Sequence, residues 1–258
     1  MAPFATLPDR RRALLAERLQ RGDTLSASEL AREFALSEDA IRRDLRDLAA
    51  AGLCRRVYGG AMPVGLAKPI AKRRLENGAA KERLACAALG LISQGQTIFL
   101  DAGSTHEALA RLLPADAGLT IVTHAPAIAA AALNRPGCGV VLLGGKIHLD
   151  IGAAIGAAAL GALRDVSCDL AFIGVCAFGL DEGVTAFDPD DAAFKREAAA
   201  RSRRVAALVG SDKLQERAPY RALPSEAFTD LVFDHDADVE IVATASGFAA
   251  VRQAEQGD

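Results

Sequence analysis

Short apolar runs that alternate with helical stretches constrain the fold of this chain most strongly. We predict six buried strands from these runs, over residues 97–101, 119–123, 139–145, 169–175, 205–210 and 231–234. The stretches between them have helical spacing and predict helices over residues 81–92, 107–113, 127–133, 157–163 and 191–203. Strands that read as continuous apolar runs indicate an α/β domain with a mostly parallel, doubly covered sheet. The run VEIVATA, residues 239–245, is predicted to add a last strand.

The N-terminal part has a different pattern, with two capped helices followed by a small glycine-bounded hairpin. Ser26 and Ser37 stand where N-cap residues stand, and Ile41, Leu45 and Leu48 recur at helical spacing behind the second cap. A further helix over residues 9–20 completes a predicted three-helix core. Its leucines 14, 15 and 19 are predicted to point inward and its arginines 10, 11, 12 and 18 outward.

The second capped helix has a basic outer face. Arg42, Arg43 and Arg46 lie on it, and Arg55 and Arg56 follow in the hairpin. A helix of this size fits the major groove of B-DNA, where arginine pairs with guanine edges and nearby basic groups hold phosphates. The alternative is a solvated face whose arginines pair with Glu38, Asp44 and Asp47. The preceding capped helix and the basic hairpin favour DNA binding.

Composition supports a basic head on an acidic body. Residues 1–76 hold 15 Lys+Arg against 10 Asp+Glu, which gives +5, and residues 77–258 hold 15 against 23, which gives −8. The five scattered cysteines and four histidines show no metal-ligand spacing, so we expect no disulfide frame, no metal and no cofactor. Without a signal peptide or an apolar run long enough to span a bilayer, we expect a cytoplasmic protein that does not contact the membrane.

The segment from residue 28 to 61 resembles the winged helix-turn-helix signature of the DeoR-type bacterial transcription regulators. The matching core is residues 37–45 and the Gly-Gly-Ala at 59–61, while Ala40 and Tyr58 depart from the usual Thr and His. The resemblance implies a small α domain with a β wing that binds double-stranded operator DNA. The residues predicted to contact DNA are Ser26, Ser37, Glu38, Asp39, Arg42, Arg43, Arg46, Arg55, Arg56 and Tyr58.

Polar residues collect where the predicted strands of the acidic body end, which is where open α/β sheets bind ligands. After Asp101, Gly103 allows a turn, and Ser104 and Thr105 lead into a helix, so free backbone N–H groups and hydroxyls offer an anion site. The alternative is an ordinary helix start. Another strand end carries Lys213, a point charge suited to a phosphate, with Asp212 beside it to orient it.

The resemblance extends over LDAGST, VTHAP, LLGG, DLAFIG, FKRE and SDKL, which follow one another as in the DeoR-type effector domain. That domain is similar to ribose-5-phosphate isomerase and to the coenzyme A transferase sheet, which implies a pocket for a phosphorylated sugar or related metabolite. The resemblance also implies which residues bind the effector: Asp101, Gly103, Ser104, Thr105 and Lys213, with Lys195 as a further candidate. His124, where Asn is common, is expected to face the ligand.

These features predict a repressor with three parts: a winged helix-turn-helix over residues 7–62, a linker over 63–76 and an effector domain over 77–258. Because helix-turn-helix proteins read paired half-sites, a homodimer or homotetramer is expected. The alternative is a sugar-phosphate isomerase or transferase with a DNA-binding appendage, in which Asp181 would be the base and Lys195 would stabilise an enediolate. A dinucleotide site is not indicated, because no glycine pair lies in a G-x-G-x-x-G motif.

Overall fold

The computed structural model describes residues 8–20, 23, 25–51, 53–57, 59–63 and 68–256. The chain divides into two compact units, Met1–Leu66 and Ala67–Asp258. Among the described helices, none is long and apolar enough to cross a bilayer.

The first unit contains three helices and a three-stranded antiparallel sheet. The helices are α1 Pro8–Gln20, α2 Ala27–Phe34 and α3 Glu38–Ala50. The strands are β1 Leu25–Ser26, β2 Cys54–Val57 and β3 Gly60–Pro63, in the order β1-β3-β2. The two predicted caps are confirmed, because the Ser26 hydroxyl accepts from the N–H of Glu29 and the Ser37 hydroxyl from that of Ala40. This is a winged helix-turn-helix arrangement.

The core of this unit corrects one prediction for α1. Leu15 and Leu19 are buried as expected, but Arg11 is only 5% exposed, and its Nε lies 2.5 Å from Oδ2 of Asp44 on α3. Arg11 falls on the stripe of Leu15 and Leu19 because residues four apart share one helix face. The expectation that all four arginines of α1 point outward is therefore wrong for Arg11, whose buried charge is paired.

The second unit is built on a seven-stranded sheet in the order β15-β14-β12-β9-β4-β5-β6, with every neighbouring pair parallel. Its strands are β4 Thr97–Leu100, β5 Thr120–Thr123, β6 Gly139–Leu142, β9 Cys168–Ile173, β12 Ser202–Val209, β14 Asp230–Phe233 and β15 Ala250–Gln253. The parallel sheet predicted from the apolar runs is confirmed.

Helices pack against both faces of this sheet, and an apolar cluster lies on each face. The helices of the unit are α4 Ile70–Leu75, α5 Gly78–Leu89, α6 Ser104–Leu112, α7 Pro126–Leu133, α8 Ala157–Arg164, α9 Pro189–Ala200 and α10 Val239–Ala245. Two small antiparallel sheets, which the sequence did not indicate, complete it. They comprise β7 Ile147–His148 with β8 Ala153–Ala154, and β10 Ala177–Gly179, β11 Gly183–Ala186 and β13 Tyr220–Leu223.

Two strand predictions need correction. The run 239–245 is helix α10, because Asp238 caps it by accepting from the N–H of Glu240, and Ile241 and Ala245 are buried one turn apart. The last strand is instead β15, which pairs with β14. Strand β6 was predicted to be buried, but it is an edge strand on which Val141 is 41% exposed.

Candidate DNA-binding face and effector site

The turn between α2 and α3 sets the start of the predicted recognition helix. It consists of residues 35–37, in which Ala35 adopts left-handed backbone angles, φ 53° and ψ 45°. The N–H of Ala35 donates to Arg32 and that of Leu36 to Ala31, so the end of α2 is closed before α3 begins. Ser37 then caps α3. Local hydrogen bonding therefore fixes both ends of the turn.

Among the described residues, two acidic residues of α3 pair with arginines of α1 and not with the arginines of α3. This weighs against the alternative of a solvated face. Asp44 pairs with Arg11, and Asp47 accepts a hydrogen bond from Arg12, both on α1. Arg42 is the exception, since its Nη2 lies 2.8 Å from Oε2 of Glu38. Arg43 and Arg46 are exposed, and within the described part of the chain neither makes an ion pair.

The other predicted DNA contacts lie around this face. Ser26 and Ser37 act as helix caps, and Glu38 and Asp39 are exposed in the first turn of α3. Arg55 and Arg56 lie on strand β2 of the wing, where the side chain of Arg56 is exposed. Tyr58 and the side chain of Arg55 are outside the described residues. The unit thus presents an exposed cationic face on α3 next to a basic wing strand.

In the second unit, neighbouring strands of the parallel sheet end in polar groups at one edge. Asp101 follows β4, His124 follows β5, Gly174 follows β9 and Lys213 lies in the turn of helix after β12. Their strands are adjacent, in the order β12-β9-β4-β5. The predicted effector residues are therefore brought together at the carboxyl edge of the sheet, where such sheets bind ligands.

Asp101 lies at the centre of a buried polar cluster. Its Oδ2 accepts from the N–H of Gly174 and from Nζ of Lys195, both at 2.7 Å. Its Oδ1 accepts from the N–H of Ala102 at 2.8 Å and lies 2.9 Å from Nε2 of His124. The side chain is 0% exposed, and both of its oxygens are occupied by these partners.

Lys195 and His124 are equally enclosed. Nζ of Lys195 lies 3.0 Å from Oδ1 of Asp191, so one ammonium is shared by two buried carboxylates. His124 is 0% exposed, stacks on Phe194 with ring centroids 4.1 Å apart, and its Nδ1 lies 2.7 Å from the carbonyl oxygen of Ala154. The prediction that His124 faces the ligand does not fit this burial.

Charge pairing sets the protonation of this cluster. Burial alone would raise the pKa of Asp101, but the Lys195 ammonium and the His124 ring outweigh it and hold that pKa far below its ordinary value. For Asp191, burial raises the pKa, and Lys195 offsets this only in part. Burial would lower the pKa of Lys195, yet the two carboxylates raise it. Lys195 is therefore a fixed cation that holds the floor of the site.

The first turn of α6 carries two further hydroxyl groups, on the buried Ser104 and the half-buried Thr105. Ser104 and Thr105 open this helix, and within the described part of the chain their hydroxyls have no hydrogen-bond partner. No side chain caps the helix, so its first N–H groups are unoccupied by a cap. His106 is buried, with Nδ1 2.7 Å from the carbonyl oxygen of Asp101, and burial lowers its pKa. This turn can bind an anion.

Lys213 stands at the same edge with its side chain 32% exposed and Nζ 3.0 Å from Oδ2 of Asp212, as the sequence suggested. Its charge acts on Lys81 of α5 and on Cys176, as does that of Arg73. Acidic groups lie in the same region, because burial, Lys213 and Arg73 lower the pKa of Lys81 while Asp212 and Glu76 raise it.

Sequence reasoning missed several members of the cluster. Gly174 is required because an added Cβ would lie 2.7 Å from the carbonyl oxygen of Ala102. Nothing in the sequence marks it except its place after a strand. Asp191 was not proposed for the site, although it lies one helical turn before the candidate Lys195, a spacing that suits an ion pair. Phe194, the stacking partner of His124, has no such signal.

A metal centre and the isomerase arrangement both fit poorly. Among the described residues, Asp234, His235 and Asp236 bring potential metal-ligand atoms within 4.8 Å of one another. However, Asp234 is held by Arg83, and Asp236 accepts from the hydroxyl of Ser211. The proposed isomerase base, Asp181, is exposed in the turn between β10 and β11, while its partner Lys195 is committed to Asp101 and Asp191.

Comparison with known proteins gives two matches that together span most of the chain. The family model of the DeoR-like helix-turn-helix domain matches residues 11–64, and that of the DeoR C terminal sensor domain matches residues 76–235. The HTH-type transcriptional regulator GlpR of Haloferax volcanii is 30% identical over 242 residues, covering 91% of this chain and 94% of the relative. The glycerol-3-phosphate regulon repressor of Escherichia coli strain K12 is 30% identical over 206 residues, covering 79% and 82%.

Among solved structures, ribose 5-phosphate isomerase A of Methanocaldococcus jannaschii is similar at 17% identity. The match covers 54% of this chain and 55% of that one, with a TM-score of 0.38. Likeness at this level carries no argument about activity.

Proposed function

This chain belongs to the DeoR family of transcriptional regulators, and from that premise we propose that it represses transcription by binding operator DNA under the control of a phosphorylated sugar. The family is one of regulators, so the isomerase alternative is set aside. The relatives include a glycerol-3-phosphate regulon repressor, and its name supports a small phosphorylated molecule as the effector. Two or more copies are proposed to bind together, because paired recognition helices read paired half-sites.

The observation that carries the proposal is the open cationic face of α3. Arg43 and Arg46 are exposed there, while the nearby carboxylates of Asp44 and Asp47 are occupied by α1. Arginines in that position can reach guanine edges in the major groove, and Arg55 and Arg56 on the wing can hold phosphates.

For the effector, the supporting groups are those at the start of α6. We propose that Ser104 and Thr105, with the backbone N–H groups beyond Gly103, hold the phosphate, and that Lys213 closes over it. Asp101, His124 and Lys195 act from beneath as a rigid, charge-paired floor. This assignment keeps every effector residue expected from the sequence but gives Asp101, His124 and Lys195 a supporting role.

A selection experiment tests the DNA-binding half without knowledge of the operator. Duplexes are selected from a random pool with the wild-type protein, and their binding is followed by fluorescence polarisation. We expect the Arg43→Ala/Arg46→Ala variant to lose about 10-fold or more in affinity, the cost of one or more base contacts. Selection of no sequence, or equal binding by the variant, would contradict the proposal.

A thermal-shift screen tests the effector half. Glycerol 3-phosphate, ribose 5-phosphate, fructose 6-phosphate and inorganic phosphate are compared, because a ligand that binds only the folded state raises Tm. We expect at least one to stabilise the wild type but not Thr105→Val or Lys213→Ala. A matched control is Lys146→Ala, a change at a lysine elsewhere in the unit. Equal shifts in all variants would exclude the site proposed here.

A further inference from the structure

We propose that the ion pair between Arg74 and Glu107 transmits occupation of the anion site to α4, the first helix after the DNA-binding unit in the chain. Arg74 is then a positioning residue for effector control. This inference rests on the proposed function, because it requires an anion at the start of α6.

The pair is bidentate, with an exposed guanidinium side chain on a buried carboxylate. Nη2 of Arg74 lies 2.6 Å from Oε1 of Glu107, and Nε lies 2.8 Å from Oε2. The Glu107 side chain is only 9% exposed. A two-point contact between a guanidinium and a carboxylate fixes the relative orientation of both groups. The pair therefore connects α4 to α6 in a defined geometry.

Glu107 belongs to the same helical turn as the proposed anion site. Its N–H donates to the carbonyl of Gly103 at 3.0 Å, which places it in the first turn of α6. Because helical side chains lean toward the N-terminus, we infer that its carboxylate lies on the side of Ser104 and Thr105. An anion bound there would repel Glu107 and attract Arg74. Occupation of the site therefore adds an electrostatic attraction that keeps Arg74, and with it α4, next to α6.

Helix α4 depends on few contacts for its structure. It has only six residues, and a helix that short does not form in isolation. The N–H of Ile70 donates to the carbonyl of Asp150 at 2.8 Å, and Nη2 of Arg73 reaches the same oxygen at 3.2 Å. Nζ of Lys81 donates to the carbonyls of Arg73 and Glu76 at its end. The Arg74 contact is therefore one of several contacts that order α4, and it is the one that leads to the start of α6.

The test uses the full chain with two probes, inorganic phosphate and ribose 5-phosphate, and three readouts. These are the Kd for the probe, the Kd for a selected duplex with and without the probe, and amide hydrogen exchange of residues 70–76. In the wild type, we expect the probe to protect α4 and to change DNA affinity by about 5-fold or more.

Three variants distinguish the effect of the Glu107 charge on probe affinity from the role of the ion pair in linking α6 to α4. Arg74→Gln leaves Glu107 unpaired beside the anion, so we expect probe affinity to fall about 3- to 10-fold and the probe's effect on DNA binding to fall below about 2-fold. In Arg74→Gln/Glu107→Gln the repulsion is gone, so affinity returns while the effect on DNA binding stays lost. In Arg74→Glu/Glu107→Arg the ion pair is kept but its signs are reversed, so a bound anion attracts the side chain on α6 and repels the one on α4. We therefore expect probe affinity to return, while the probe no longer protects residues 70–76.

A matched control is Arg204→Gln. It breaks another bidentate pair of this unit, Arg204 with Asp230, whose side chains are 37% and 7% exposed against 41% and 9% for Arg74 and Glu107. Arg204→Gln should keep the wild-type effect of the probe on DNA binding.

Coupling retained in Arg74→Gln, coupling lost equally in Arg204→Gln, or wild-type protection of residues 70–76 by the probe in the charge-reversed variant would overturn the inference and leave the proposed function standing. A wild type that binds none of the four compounds of the thermal-shift screen would instead refute the anion site at the start of α6, and the inference would fall with it.

Discussion

Nζ of Lys195 lies 2.7 Å from Oδ2 of Asp101, although 94 residues separate them in the chain and both side chains are buried. The contact joins helix α9 to the end of strand β4. The same ammonium reaches Asp191, so removal of one charge changes the balance of three. The stability of the folded state therefore depends on the pairing of these three buried charges.

Replacement of Lys195 by methionine should destabilise the protein in a pH-dependent way. Burial already raises the pKa of Asp191, and Lys195 only partly offsets this, so its loss raises that pKa further. An acid with a raised folded-state pKa contributes most stability below its unfolded pKa, about 4, and this contribution is lost as pH rises through the folded pKa. We expect a loss of about 3–5 kcal/mol at pH 8 and a smaller one at pH 5.

Urea unfolding of the Lys195→Met variant and the wild type at both pH values measures this difference. An equal loss at pH 5 and pH 8 would show that removal of the Lys195 ammonium does not raise the pKa of Asp191 in the folded state.

Gly174→Ala should weaken both folding and effector binding. An added Cβ would lie 2.7 Å from the carbonyl oxygen of Ala102 and 3.0 Å from Oδ2 of Asp101, so the backbone beneath the site must shift. We expect a loss of about 1–3 kcal/mol in the free energy of unfolding. The control is Gly161→Ala in α8, where a Cβ meets no atom within 4 Å and a gain of about 0.5–1 kcal/mol is expected. Indistinguishable denaturation midpoints for the two variants would argue against the close packing at Gly174.

Arg56→Ala on the wing should weaken DNA binding equally for all sequences. Arg56 is exposed on β2, and a phosphate contact made by it releases a counterion. We expect the slope of log Kd against log salt to fall by about 1 without change in sequence preference. The slope is measured with the selected duplex between low and physiological salt, beside Arg111→Ala on α6 as a control. A shift in preferred sequence would instead assign Arg56 to base recognition.

Ala35→Gly should stabilise the first unit. Ala35 holds φ at 53°, a left-handed conformation that costs an alanine about 1–2 kcal/mol and costs a glycine little. The greater freedom of glycine in the unfolded chain offsets part of this gain. We therefore expect a rise of up to about 1 kcal/mol in unfolding free energy, measured by thermal denaturation. A lower Tm for Ala35→Gly would contradict the strain inferred at this turn.

Local patterns predicted the framework of both units for clear physical reasons. Strands buried on both faces must be apolar throughout, so β4, β5, β9, β12 and β14 could be recognised from composition alone. Caps such as Ser26 and Ser37 are satisfied within three residues, so they too are local. The run 239–245 failed because its β-branched residues suit either state, and the Asp238 cap decides for a helix.

Contacts between distant residues could be predicted only in part. The rule that ligands bind at strand ends placed Asp101 and Lys213 at one edge, but it could not show that Asp101 is saturated by Gly174, Lys195 and His124. Arg74 and Glu107 are 33 residues apart and have no spacing that marks them as partners. By contrast, Arg11 shares a helical stripe with Leu15 and Leu19, a signal that was readable in the sequence.

The buried pair of Arg11 and Asp44 has a consequence for how the protein reads a duplex. Asp44 lies on the inner side of α3, so the pair prevents this helix from rolling about its own axis. In the proposed complex with DNA, the angle at which Arg43 and Arg46 enter the groove is thereby set during folding. Little freedom would then be lost on association, and the duplex, as the more deformable partner, would have to adapt its groove to the protein.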